Sequence, residues 1–110
     1  MRRSKYNAKP VKIDGLSFDS KKEARRYGEL KLMEKAGEIR DLVFHPRYSF
    51  GVNGVHICEY EADFSYVPKE RFDRICDREI VEDVKGYKTD VYKLKKKLMK
   101  AIHGIEVRET

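Results

Sequence analysis

The stretch Glu82-Asp83-Val84-Lys85-Gly86 sets a carboxylate and an amine two residues apart. On an extended strand, side chains at that spacing project from the same face. A second carboxylate, Asp63, stands in an earlier alternating stretch, directly after Glu61-Ala62. If the two strands pair antiparallel, Asp63 and Asp83 bring their oxygens to one place. Two carboxylates with water and phosphate oxygens suit a hard Mg²⁺ ion, which takes octahedral oxygen ligands at about 2.0–2.1 Å. A lysine beside them would orient or deprotonate an attacking water and offset charge on a phosphorane-like transition state. The ion would activate the water and stabilise the charged oxygens. In outline this is metal-assisted hydrolysis of a phosphodiester. A plainer reading stands beside it: Glu59, Glu61 and Asp63 as a solvated strand face, and Asp83 with Lys85 as a surface pair worth at most about 1 kcal/mol. Glu82 is expected on the face opposite Asp83 and therefore outside the site.

A small scaffold must position these groups. Val11 to Phe18 alternates around Asp14-Gly15, a hairpin signal because both turn positions need positive φ. Ser20 and Glu23 have capping-box spacing and open a helix whose apolar side is Ala24, Tyr27, Leu30 and Met33, with Gly37 as its stop. Glu23 therefore has one structural role already, as the reciprocal partner of Ser20. Ile39 to Phe50 is apolar but interrupted by Pro46, which marks an edge or bent strand. Asn53-Gly54 signals a second hairpin. His56 to Val67 reads as one strand with Cys58, Tyr60, Ala62, Phe64 and Tyr66 on one face. A polar connector from Pro68 to Arg78 leads to a strand over Glu79 to Lys85, in which Ile80 and Val84 share a face. The last helix runs from Thr89 or Asp90 to His103, with Val91, Leu94, Leu98, Ala101 and Ile102 as its apolar stripe. Ile105 to Arg108 reads as a short terminal strand. The order predicts a small α/β or α+β domain over 11–110, a mixed sheet with a helix on each side, preceded by a flexible basic arm at 1–10.

The charge balance points the same way. The chain has 110 residues, with 25 Lys and Arg against 19 Asp and Glu, a formal net charge of +6. That length holds one domain, and a basic excess favours polyanions, nucleic acid before anionic membrane. Lys93, Lys96, Lys97 and Lys100 share one side of the last helix, just after the Asp83-Lys85 strand. With Lys88 and the arm residues Arg2, Arg3 and Lys5 they are the expected DNA grip. No apolar run approaches the roughly 18 residues of a membrane span, and the basic N-terminus lacks the apolar region of a secretory signal. Cys58 and Cys76 form no Cys-x-x-Cys pair, so free thiols in a reducing cytoplasm are expected. His45, His56 and His103 show no metal-ligand spacing, and His45 before Pro46 reads as structural.

Taken together, Glu23 on an early helix, Asp63 on a strand and Asp83-x-Lys85 on the next resemble the PD-(D/E)XK nuclease superfamily. The resemblance extends to Asn7-Ala8-Lys9, Ile13-Asp14-Gly15, Phe18 to Ala24, Ala62-Asp63-Phe64 and Glu82 to Gly86 with Thr89. These look like a small family of phage and prophage proteins, catalogued as a domain of unknown function and interpreted as Holliday-junction-resolvase-like endonucleases. The resemblance implies a restriction-endonuclease-like core and metal ligation by Asp63, Asp83, the Val84 backbone carbonyl and Glu23. It implies Lys85 as the catalytic lysine, with Mg²⁺ or a substituting Mn²⁺ as cofactor. Its implied substrate is branched or structured phage DNA, cut to a 3′-hydroxyl and a 5′-phosphate. Ala62 stands where the superfamily name places proline. A chain of this size covers one scissile phosphate, so symmetrical cutting calls for a homodimer. The alternative is a non-catalytic DNA-binding or recombination accessory protein that keeps the fold. Carboxylates near phosphates argue against it.

Overall fold

In the computed structural model, which describes residues 11–13, 15–73 and 79–110, the chain enters through the expected hairpin. Strands β1 (Val11–Ile13) and β2 (Leu16–Phe18) pair antiparallel. Gly15 sits at φ 77° in the turn, a left-handed conformation that glycine adopts without a Cβ penalty. The expected arm with Arg2, Arg3 and Lys5 lies outside the described residues, as do Asp14, Cys76 and Arg78.

Helix α1 (Lys21–Lys35) begins where the capping spacing predicts. Ser20 Oγ accepts the Glu23 N–H at 3.2 Å, satisfying one of the donors that a helix start leaves without an intrahelical partner. Ala24, Tyr27 and Leu30 are buried against Phe18, Ile39, Phe64 and Tyr66, with Met33 packed at the margin. Ser20→Ala is expected to cost about 1 kcal/mol. A thermal melt followed by circular dichroism should show that as a midpoint lowered by about 4–8 °C.

Strands β3 (Ile39–Phe44) and β4 (Arg47–Val52) divide the expected bent strand at His45-Pro46. Asn53 and Gly54, both left-handed at φ 52° and 77°, turn β4 back into β5 (Val55–Glu61) as the Asn-Gly pair predicts. The stretch 56–67 departs from expectation. It forms two strands, β5 and β6 (Phe64–Pro68), parted at Ala62-Asp63. Among the described residues β5 pairs with β4, whereas β6 lies between β3 and the next strand, β7 (Ile80–Asp83). The chain changes sheets at the break, so the expected single apolar face is divided. Tyr60 and Ala62 pack with Tyr92 and Met99, while Phe64 and Tyr66 pack with α1. As an interior strand β6 is covered on both faces, and Phe64, Ser65, Tyr66 and Val67 are all buried.

β7 is shorter than the expected Glu79–Lys85, because its ladder with β6 ends near Asp83. The last helix, α2 (Asp90–Leu98), is capped by Thr89, whose Oγ1 accepts the Tyr92 N–H at 3.1 Å. A π-helical turn, Met99–His103, extends it to Gly104. Strand β8 (Arg108–Glu109) closes the sheet parallel to β7, with Glu82 beside Arg108 and Asp83 beside Glu109. That register places it slightly beyond the expected Ile105–Arg108.

The buried side of α2 also differs from the expected stripe. Val91 and Leu94 are 62% and 58% exposed, and the helix buries Tyr92 and Met99 instead. Those two, seven residues or two turns apart, pack on Phe50, Tyr60, Val81 and Val107. The ring and the thioether fill more volume than Val91 and Leu94. From that side the Tyr92 hydroxyl also reaches Glu109 Oε2 at 2.8 Å.

The central sheet runs β3-β6-β7-β8, antiparallel except at its β7-β8 end. The α1 cluster and the α2 cluster each include residues of this sheet. This mixed sheet with two main helices is the α+β arrangement of a restriction-endonuclease-like core. Among the described residues no helix is long and apolar enough to cross a membrane.

Candidate metal centre

The β6–β7 ladder sets Phe64 opposite Glu82, so one residue further along it Asp63 stands across from Asp83. The Asp63 N–H donates to the Glu82 carbonyl at 3.2 Å, and Asp63 Oδ2 accepts the Val84 N–H at 2.7 Å. Asp83 is buried and accepts the Tyr60 hydroxyl. Lys85 Nζ lies 3.4 Å from Asp83 Oδ1 and 4.2 Å over the Tyr92 ring, so α2 holds the lysine against the carboxylates. Antiparallel pairing thus brings Asp63, Asp83 and Lys85 together as the spacing predicted.

Glu23 arrives from α1. Only 4% of it is exposed. Its backbone N–H serves Ser20, while its side-chain Oε1 lies 3.1 Å from His45 Nε2. One ligand atom each from Glu23, His45 and Asp63 lie within 4.8 Å of one another. Sequence reasoning missed His45. It occupies the break between β3 and β4 at φ 56°, stacked on Phe44 with 3.8 Å between ring centroids. Its backbone N–H donates to the Asp63 carbonyl at 2.9 Å. The available signal was a histidine before proline at a strand break. What brings it to Glu23 is long-range register, which local spacing does not carry.

Gathering carboxylates has an electrostatic cost that the site displays. Burial, then the hydrogen bond and charge of Asp83, push the Asp63 carboxyl up to about 8. Burial also raises Glu23 above the usual carboxylate range, against the opposing pull of His45. Glu82 behaves differently. Burial alone would raise it, but the Arg26 guanidinium and the Tyr66 hydroxyl hold it below its ordinary value. Arg26 Nε and Nη2 reach the two Glu82 carboxylate oxygens at 2.8 Å each, the bidentate geometry that makes such pairs strong. Glu82 therefore faces away from Asp83, as expected, and ties β7 to α1 one turn beyond Glu23.

The expected cationic grip is only partly available. Lys88 and Lys96 reach Glu109 at 2.9 and 3.3 Å, and Lys100 lies 3.8 Å from Glu106. Lys93 and Lys97 are exposed, with no ionic partner among the described residues. The spacing arguments did not single out a second basic surface. A cavity of about 440 Å³ beside Val84 is lined by Lys22, Arg25, Arg26 and Arg108, and Lys22 Nζ lies 3.4 Å from the Lys85 carbonyl. These cations come from α1 and β8, so only the folded chain brings them beside Val84.

Residues 3–110 match the family described as Protein of unknown function (DUF1064). No curated protein and no solved structure matches the chain.

Proposed function

Because the chain belongs to the DUF1064 family, whose description names no activity, the chemistry of the site is the guide, and we propose that this protein is a Mg²⁺-dependent DNA endonuclease of the PD-(D/E)XK type, acting on branched or structured DNA in the manner of a Holliday-junction resolvase. One observation carries the reading: Asp63 and Asp83 standing across the β6–β7 ladder from one another, with Lys85 Nζ 3.4 Å from Asp83 Oδ1. A structural pair of like charges destabilises the fold, whereas a divalent cation is the partner that offsets it.

The donor set fits a hard cation. Asp63 and Asp83, with Glu23 and the Val84 carbonyl, would hold Mg²⁺, or Mn²⁺ in its place. When bound, such an ion neutralises phosphate oxygens and acidifies water. The chain supplies the rest. Lys85 orients the attacking water in line with the phosphorus and offsets charge on the transition state. The Tyr60 hydroxyl fixes the Asp83 carboxylate, and the Val84 N–H fixes Asp63. Lys22, Arg25, Lys93 and Lys97 hold the nucleic-acid backbone on either side, and the products are a 3′-hydroxyl and a 5′-phosphate. Cutting a four-way junction symmetrically takes two copies of the chain, hence a homodimer on the substrate.

The test is a cleavage gel. Labelled four-way junction, duplex, flap and single strand are incubated with Mg²⁺, Mn²⁺ or EDTA, beside Asp83→Ala. Metal-dependent cutting is expected, lost in EDTA and reduced by at least about 10³-fold in the variant. Binding without metal-dependent cutting would instead make the protein a DNA-binding accessory module.

The grip gives a separate expectation. Replacing Lys93 and Lys97 together by Gln should leave the melting midpoint in place and weaken DNA binding. The slope of log affinity against log salt should fall by about 1.8, or about 0.9 for each duplex phosphate contact. An unchanged slope would remove α2 from the DNA interface.

A further inference from the structure

His45 is the residue of the site that the nuclease reading leaves without a task. Its Nε2 meets Glu23 Oε1 at 3.1 Å, and one ligand atom each from Glu23, His45 and Asp63 lie within 4.8 Å of one another. The three side chains come from a helix, a strand break and a sheet crossing. Asp83 is not a member of this group of three, although it stands across the β6–β7 ladder from Asp63. Asp63 is therefore shared between two settings, one with Asp83 and Lys85, the other with Glu23 and His45. A six-coordinate ion with bonds of about 2.1 Å has neighbouring ligand atoms about 3.0 Å apart and opposite ones about 4.2 Å apart. The Glu23–His45 separation is that of neighbouring ligands, and small side-chain shifts bring Asp63 into the same shell.

We infer that His45 Nε2 is a metal ligand, and that Glu23, His45 and Asp63 form a mixed nitrogen and oxygen position for a divalent transition ion, next to the Asp63–Asp83 position and sharing Asp63 and Glu23 with it. The inference rests on the metal-site reading above and adds to it a nitrogen donor and a metal preference. Imidazole suits first-row transition ions, whereas Mg²⁺ takes oxygen ligands. An imidazole beside two carboxylates therefore favours Mn²⁺ over Mg²⁺ by more than an all-carboxylate site does. His45 is well placed for this role. Its backbone N–H donates to the Asp63 carbonyl, anchoring the chain there, and its ring lies on Phe44, a contact that does not use Nε2.

The test is pulsed EPR of the full-length chain loaded with Mn²⁺, read for ¹⁴N modulation from a coordinated imidazole. The wild-type complex should show it, and a sample labelled with [¹⁵N]histidine should lose the ¹⁴N pattern. His45→Gln should still bind Mn²⁺, about tenfold more weakly and without the nitrogen signal, while its Mg²⁺ affinity changes less. Asp83→Asn should keep the nitrogen signal, because Asp83 lies outside the group of three. Bound Mn²⁺ with no nitrogen coupling in the wild type would overturn the role of His45 and leave the carboxylate site standing. No saturable binding of Mn²⁺ or Mg²⁺, with Asp63→Asn indistinguishable from wild type, would overturn both. The isotope comparison needs no variant, so a folding defect in His45→Gln does not decide the outcome.

Discussion

Asp63→Asn is expected to make the metal-free protein more stable while abolishing its metal-dependent cleavage. Asp63 is held beside Asp83 and near Glu23, and burial together with that company raises its carboxyl to about 8. Near pH 8 the folded chain therefore carries a repulsion that the unfolded chain does not. The sign follows from linkage. Below about pH 4 the carboxyl is protonated in both states and the penalty is absent. The penalty grows as pH rises and is complete above about 8. Metal-free wild type should thus gain stability relative to the variant on moving from pH 8 towards 5. At pH 8 Asn should add about 1–2 kcal/mol once partial exposure of Asp63 is discounted, or about 5–10 °C in the melting midpoint. Mg²⁺ or Mn²⁺ should raise the wild-type midpoint and leave the variant unmoved, since only a competent site couples binding to folding. Cleavage should fall by at least about 10³-fold. Scanning calorimetry across pH, with and without metal, reads the stability part. A variant less stable than wild type at pH 8 would show that the carboxylate is structural.

Glu82→Ala should be the most destabilising single change near the site. Glu82 is fully buried and answers both Arg26 and the Tyr66 hydroxyl. Removing one partner of a buried pair leaves the other uncompensated, typically at 3–5 kcal/mol. The Arg26 side chain is 23% exposed and can recover some hydration, which puts the expectation at about 3 kcal/mol, the low end of that range. The urea midpoint should fall with the slope unchanged. Arg26 lies one turn beyond Glu23 on α1, so loosening it from β7 also frees the helix that delivers Glu23. Glu82→Gln, which keeps the volume and a partner for Tyr66, should cost less. A loss below about 1 kcal/mol for Glu82→Ala would mean that Arg26 and Glu82 are an ordinary exposed pair.

Local signals carried much of this architecture. Gly15 and Asn53-Gly54 supply the positive φ that two hairpin turns need. Ser20 and Thr89 mark helix starts because unpaired N–H groups need acceptors. The two-residue spacing of Asp83 and Lys85 was enough to put them on one side, with Glu82 on the other. Four features escaped because each depends on partners far away in the chain. The break at Ala62-Asp63 arises where β5 pairs with β4 and β6 enters another sheet, which the unbroken alternation from His56 to Val67 conceals. The buried side of α2 centres on Tyr92, which meets Glu109 and Tyr60, so of the row from Val91 to Ile102 it is Leu98 that packs against the core cluster. His45 reaches Glu23 only through the order of strands. The expected grip joins the lysines of α2 to Lys88 and the basic arm, whereas folding pairs Lys88 and Lys96 with Glu109 and adds Lys22 and Arg25 from α1.

The central claim is that carboxylates brought together by the β6–β7 ladder hold a cation for DNA hydrolysis. Its most direct test is single-turnover cleavage of an end-labelled four-way junction, with the new strand ends identified chemically. Wild type in Mg²⁺ should yield 5′-phosphate and 3′-hydroxyl ends, with no product in EDTA or from Asp63→Asn. Intact strands on a tightly bound junction in both Mg²⁺ and Mn²⁺, or cutting that survives EDTA and Asp63→Asn, would contradict it.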